Sequence, residues 1–186
     1  MLEQELTASQ RALVETWERH MAAEFDTQSI EATMATMTAD PVVNHVPVMT
    51  GGVGAREVRQ FYTQYFIGKH PPDAAIVPLT RTVGQTRIVD ELIYQFSHTI
   101  EMPWILPGVA PTGRHVEVAL VVVVDFAGGK ISGERIYWDQ ACVLAQLGRL
   151  EVEQLPATGA EATRKVRDPL LAPSNALITR ASGSRG

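Results

Sequence analysis

The chain has 186 residues, 45% of them hydrophobic, with 16 Lys plus Arg against 21 Asp plus Glu and a formal charge of −5. That length suits one domain with a proper core, and the net negative charge argues against nucleic acid or an anionic membrane as partner. One cysteine, Cys142, excludes an intrachain disulfide and a cysteine-based zinc site, and the longest apolar run, Val118 to Val124, is too short to span a bilayer. The N-terminal Met1–Gln10 segment is acidic and polar, unlike a secretory signal, so the expected location is the cytoplasm.

The charge is uneven. Residues 1–155 carry −8 and residues 156–186 carry +3, the latter with Pro156, Pro169 and Pro173 and a Ser/Gly-rich end. This predicts a domain over 1–155 and a C-terminal extension over 156–186, lying on the body or on a partner subunit. Its five cations lack interleaved aromatic residues, which speaks against RNA.

In chain order, Leu13, Trp17, Met21 and Phe25 recur every four residues and predict an amphipathic helix. Asp26 and Thr27 offer cap oxygens to a second helix through Ile30, Met34 and Met37, which Asp40-Pro41 should end. A short strand over Val42–Val46 and a flexible turn over Thr50–Gly54 are expected next. Val58, Phe61, Tyr62, Tyr65 and Phe66 give the clearest helical spacing in the chain, closed by Gly68 and Pro71-Pro72. Strands follow: Ala75–Val83 broken by Pro78, Arg87–Met102, Val116–Phe126, a hairpin turn at Ala127–Lys130, and Ile131–Asp139. A proline-rich loop with Trp104 spans 103–112, and a helical turn covers Ala141–Leu147. Helices followed by long antiparallel strands predict an α+β fold whose curved sheet wraps around the helices and leaves a cone-shaped cavity.

Three residues stand out for chemistry. Asp139 ends the last strand between aromatic neighbours, and strict alternation puts it on one face with Ile131, Gly133, Arg135 and Tyr137. A carboxylate in an apolar hollow is a competent general base; the plain alternative is an N-cap for the next turn. His98 shares a strand face with Tyr94 and Phe96, as a core residue or a pocket group, with Glu101 close behind. His45, in Asn44-His45-Val46-Pro47, is placed to line a cavity mouth. The histidines show no recognisable metal spacing, and nucleophile-elbow and phosphate-loop motifs are missing, so no metal and no cofactor are expected. His20 and His70 read as structural or surface residues.

With these residues in view, the chain resembles the SnoaL-like group (polyketide cyclases and ester cyclases) of the NTF2-like superfamily, from about Trp17 to Gly148. The resemblance rests on His98-Thr99-Ile100-Glu101, on Gly108 to Glu117 with Pro111-Thr112-Gly113-Arg114 inside it, and on Gly129-Lys130-Ile131 through Trp138-Asp139 to Gln146-Leu147-Gly148. A dienelactone-hydrolase-like subset is similar through Asn44–Pro47 and into the tail. The resemblance implies N-terminal helices on a strongly curved, mostly antiparallel sheet around a conical pocket, and a homodimer through the sheet. It also implies Asp139 as acid/base and His98 as a pocket residue. The reading is a cofactor-free enzyme on a small apolar carbonyl compound, catalysing aldol-type cyclisation or isomerisation. Asp139, His98 and His45 would be catalytic, and Glu101, Tyr137, Trp104, Tyr62 and Tyr94 would bind the substrate. Two alternatives stay open: a lactone or ester hydrolase using Asp139-activated water, and a non-catalytic ligand-binding or dimerisation module.

Overall fold

The structure is a computed structural model and describes residues 5–183. Helix α1 (Ala8–Phe25) starts at a reciprocal cap: Thr7 Oγ1 accepts from the Gln10 N–H at 3.2 Å, and the Gln10 side chain accepts from the Thr7 N–H at 2.9 Å. Its buried side holds Leu13, Trp17 and Ala23 but also Thr16, His20 and Glu24. Helix α2 (Ile30–Ala35) is capped by Ser29 and ends sooner than the sequence suggests. The chain turns at Thr36 straight into strand β1 (Met37–His45), so Asp40-Pro41 lies within a strand rather than ending a helix. The β1 register shifts between Met37 and Val42, and such an irregularity tolerates a proline without an N–H to donate.

The expected flexible turn at Thr50–Gly54 is instead strand β2 (Thr50–Val53), antiparallel to β1, running into helix α3 (Gly54–Phe61). Gly51, at φ 138°, passes so near β1 that a Cβ would lie 2.0 Å from the Val43 carbonyl oxygen, so its glycine serves close packing. A π turn (Tyr62–Phe66) continues α3, with the Ile67 N–H donating to the Tyr62 carbonyl at 3.0 Å.

Strands β3 (Ala75–Val83), β4 (Arg87–Ser97), β5 (His115–Ala127) and β6 (Lys130–Trp138) follow as an antiparallel meander; β4 stops at Ser97 rather than Met102, so His98 and Glu101 lie in the loop beyond it, while the other three are close to the predicted bounds. The sheet order is β2-β1-β6-β5-β4-β3, with β1 and β6 parallel and every other pair antiparallel. Register shifts at Pro78/Thr80 and Asp125/Phe126 help curl it, as bulges do. Helices α1 and α3 fill the concave side, where the core lies.

Helix α4 (Gln140–Gln146) and helix α5 (Ala160–Arg167) rest on β5. Thr163 Oγ1 donates to the Glu117 carbonyl at 3.0 Å, and Arg164 pairs with the Glu117 carboxylate at 2.6 Å. Beyond them Val121 and its cross-strand neighbour Tyr137 are exposed. Helix α6 (Ala176–Gly183) completes the described chain. No helix among the described residues is long and apolar enough to cross a membrane.

Candidate functional site

Inside the cone is a chamber of about 60 Å³, walled by α1, the π turn, strands β1 and β3–β6, and the loop bearing Trp104. Its surface is apolar and aromatic except at one pole, where Glu24 of α1, Glu134 of β6, Tyr62 of the π turn and His45 of β1 reach it. His20, one helical turn before Glu24, lies behind this pole. His20, Glu24, Glu134 and Tyr62 are all buried.

The hydrogen bonds fix the proton positions. Thr36 Oγ1 donates to the Thr33 carbonyl at 2.6 Å, so it accepts from His20 Nδ1 at 2.7 Å. Nδ1 therefore carries a hydrogen, and Nε2 faces a carboxylate oxygen of Glu24 and one of Glu134, each at 3.1 Å. Two carboxylate oxygens around one ring nitrogen require a proton on that nitrogen. His20 is thus an imidazolium shared by two carboxylates. Burial alone would lower its pKa, but the charges of Glu134 and Glu24 outweigh burial and hold it up at about 10. Glu24 is pushed above the usual carboxylate range by burial, with His20 pulling the other way. Burial and then Glu134 and Glu24 raise the Tyr62 phenol, whose hydroxyl donates to Glu134 at 3.4 Å.

His45 donates from Nδ1 to the Thr50 carbonyl at 3.3 Å and packs its ring 5.3 Å from both Phe61 and Trp104. Burial drives its pKa down to about 4 against the pull of Glu134, so it is a neutral wall of the chamber. Trp17 is held in the wall by its indole N–H, which donates to Asp90 at 2.8 Å, and Arg81 clamps Asp90 through two bonds of 2.7 Å. Outside the chamber a broad groove runs between the end of α1 and strands β3 and β4. Met21, Phe25, Ile76, Leu92 and Tyr94 line both groove and chamber and so form the partition between them.

Four of the expected site residues meet here: His45, Tyr62, Tyr94 and Trp104. The other four do not. Asp139 is exposed, and its carboxylate accepts from the Cys142 N–H at 3.1 Å as the N-cap of α4. The strand face inferred for it is the wrong one: Glu134, Ile136 and Trp138 point inward, leaving Tyr137 and Asp139 outside. Glu101 is exposed in the loop after β4. His98 is buried away from the chamber, where its backbone N–H donates to the Arg114 carbonyl and its own carbonyl accepts from Thr112 and Gly113. It ties the 98–113 loop to the sheet. His20, taken above as structural or surface, and the unremarked Glu24 and Glu134 are the charged residues of the pole.

Two consequences are measurable. Asp139→Ala should remove a cap and cost about 1 kcal/mol; an unchanged denaturation midpoint would contradict the capping role. Stability should also peak near neutrality. His20, raised in the fold, contributes fully below about pH 6.5, and that contribution disappears as pH climbs through about 10. His45 and His70 are both lowered to about 4 by burial, so the unfolded chain takes up protons that the fold refuses as pH drops from 6.5 to 4. Glu24, raised, opposes part of this acid limb. His45 and His70 are each worth roughly 3 kcal/mol across their windows, and His20 roughly 5 kcal/mol across its own. Denaturant melts from pH 4 to 10 should trace a maximum near pH 6–7, and His45→Gln should flatten the acid side; a monotonic profile would refute this.

His20 Nε2 and one oxygen each of Glu24 and Glu134 lie within 4.8 Å of one another, a spacing that would admit a metal ion among the described residues. Their mutual hydrogen bonds satisfy the same atoms through a proton.

The α+β cone is an NTF2-like fold, and solved structures share that fold. A protein named as a SnoaL-like polyketide cyclase from Jannaschia sp. CCS1 matches at a TM-score of 0.65 and 20% identity, over 80% of this chain and 99% of that one. TsrD from Streptomyces laurentii matches at 0.60 and 15% identity, over 78% of this chain and all of that one. An NTF2-like protein from Burkholderia pseudomallei K96243 matches at 0.56 and 19% identity, over 73% and 97%. The family model described as the SnoaL-like domain matches residues 17–134, more than half of the sequence, and the chain belongs to that family. No curated protein matches it.

Proposed function

We propose that the chain is a cofactor-independent acid/base catalyst for a small, largely apolar carbonyl compound, with its machinery at the Glu24–Glu134–Tyr62 pole. The observation that carries this is a pair of buried carboxylates opening onto an apolar chamber beside a phenol and an imidazolium. In a water-poor site a carboxylate with a raised pKa is matched to removing a proton from carbon near neutral pH, and the raised carboxylate is Glu24. The proton leaves the carbon next to the carbonyl for Glu24, and the electron pair moves onto the carbonyl oxygen. Tyr62 then turns its hydroxyl from Glu134 to that oxygen, with the His20 charge behind it. Return of the proton to a different carbon gives isomerisation, and attack of the enolate carbon on a second carbonyl gives ring closure.

The test is solvent exchange. Incubated with cyclopentanone in deuterium oxide, the protein should speed deuterium uptake next to the carbonyl well above the buffer rate, followed by NMR. No acceleration would overturn the reading. Ring opening of γ-butyrolactone with oxygen from labelled water appearing in the carboxylate of 4-hydroxybutyrate would replace it with the hydrolytic alternative.

A further inference from the structure

We propose that the chamber is a receptor for a small alkylammonium cation, held between the carboxylate pole and the aromatic wall. The inference concerns the same chamber as the proposed catalysis but does not depend on it.

Charge is the first observation. The buried pole has two carboxylates and one imidazolium, and no Lys or Arg among the described residues pairs with Glu24 or Glu134. Arg81, the cation beside Trp17, is engaged by Asp90 and Glu18. His45 is neutral. One negative charge is therefore left over in a low-dielectric interior, where it must be balanced by a proton on a carboxylate or by a cation in the chamber.

Shape and lining are the second. Trp17, Phe25, Phe66, Tyr94 and Trp104 line the same chamber as that charge. Trp104 sits at the centre of this wall, its ring 5.2 Å from Phe66 and 5.5 Å from Tyr94. Aromatic faces draw an organic cation at ring distances up to about 6 Å, and enclosing several of them around one ammonium is how quaternary ammonium groups are recognised. A hydrated metal ion would use the pole but gain nothing from the rings. The chamber has room for about four to six waters, which is also the size of a tri- or tetramethylammonium group.

The probe is tetramethylammonium chloride, titrated into the full chain by calorimetry and by the fluorescence of Trp17 and Trp104, with sodium chloride matching ionic strength. tert-Butanol is the neutral comparison of similar shape. Tetramethylammonium should bind saturably and at least about tenfold more tightly than tert-butanol. Glu134→Gln should weaken it about tenfold by removing the uncompensated charge, and Phe66→Leu, a milder change, should weaken it with the pole intact. Equal affinity for the two probes, no saturable binding, or binding untouched by both variants would overturn the proposal. So would Mn²⁺ or Zn²⁺ occupying the pole in preference to the organic cation. Cation binding without ketone exchange would remove only the catalytic reading, and exchange without cation binding would remove only this one.

Discussion

His20→Ala should be the most destabilising single change in the protein, costing about 3–5 kcal/mol. The substitution leaves Glu24 and Glu134, both buried, facing each other across a void with no positive charge between them. For a domain of this size that is a fall in melting temperature of roughly 10 °C. The diagnostic comparison is the double change. His20→Ala with Glu134→Gln removes one of the two repelling charges and should recover part of the loss, a non-additivity that a simple cavity would not show. Thermal and denaturant melts of wild type, both single variants and the pair make the cycle. Strictly additive losses would mean that His20 acts only as a space-filler.

The second large effect is on turnover. Glu24→Gln keeps the shape of the side chain and its packing on α1 but removes the base, so ketone exchange should fall by about 10²–10⁴-fold. Glu134→Gln should also reduce exchange, because Glu134 shares the His20 proton and accepts the Tyr62 hydroxyl. Tyr62→Phe should lower the rate while leaving the fold intact, since the hydroxyl's hydrogen bonds are both long, 3.4 Å to Glu134 and 3.3 Å with His20 Nε2. Asp139→Asn should leave exchange unchanged, because that carboxylate is exposed on α4 and asparagine caps a helix equally well. A dead Asp139→Asn with an active Glu24→Gln would return the chemistry to the end of β6.

Strands β3, β5 and β6, the hairpin between the last two and the helix through Val58–Phe66 were legible in the sequence because alternation and helical spacing are written in apolar residues. Tyr62 and Tyr94 followed from those patterns, whereas His45 was placed by its segment between Pro41 and Pro47 and Trp104 by its proline-rich loop. The charged pole did not, for two physical reasons. On α1 the stripe drawn through Leu13, Trp17, Met21 and Phe25 leaves out polar positions, yet the buried face is turned enough to take in His20 and Glu24, one helical turn apart. On β6 the face was fixed by Asp139, the residue of interest, rather than by the bulky apolar side chains. Counting back from Trp138 and Ile136 lands on Glu134. A charged residue in phase with an aromatic and an isoleucine was the available signal. Gly51 misled in another way: the residue that permits a flexible turn equally permits two strands to approach closely, and only the pairing distinguishes them.

The parallel pairing of β1 with β6 carries a consequence for how the molecule assembles. Val42 lies beside Gly133 in the finished sheet, so the chain must close a long loop before that ladder forms. Until then His20 and Glu24 have no second acid to meet. During synthesis on the ribosome the N-terminal helix therefore waits, its ion pair incomplete, for a residue translated more than a hundred codons later. Premature termination ahead of β6 would yield polypeptides in which the apolar lining of the cone has no closing strand, the condition under which aggregation competes with folding.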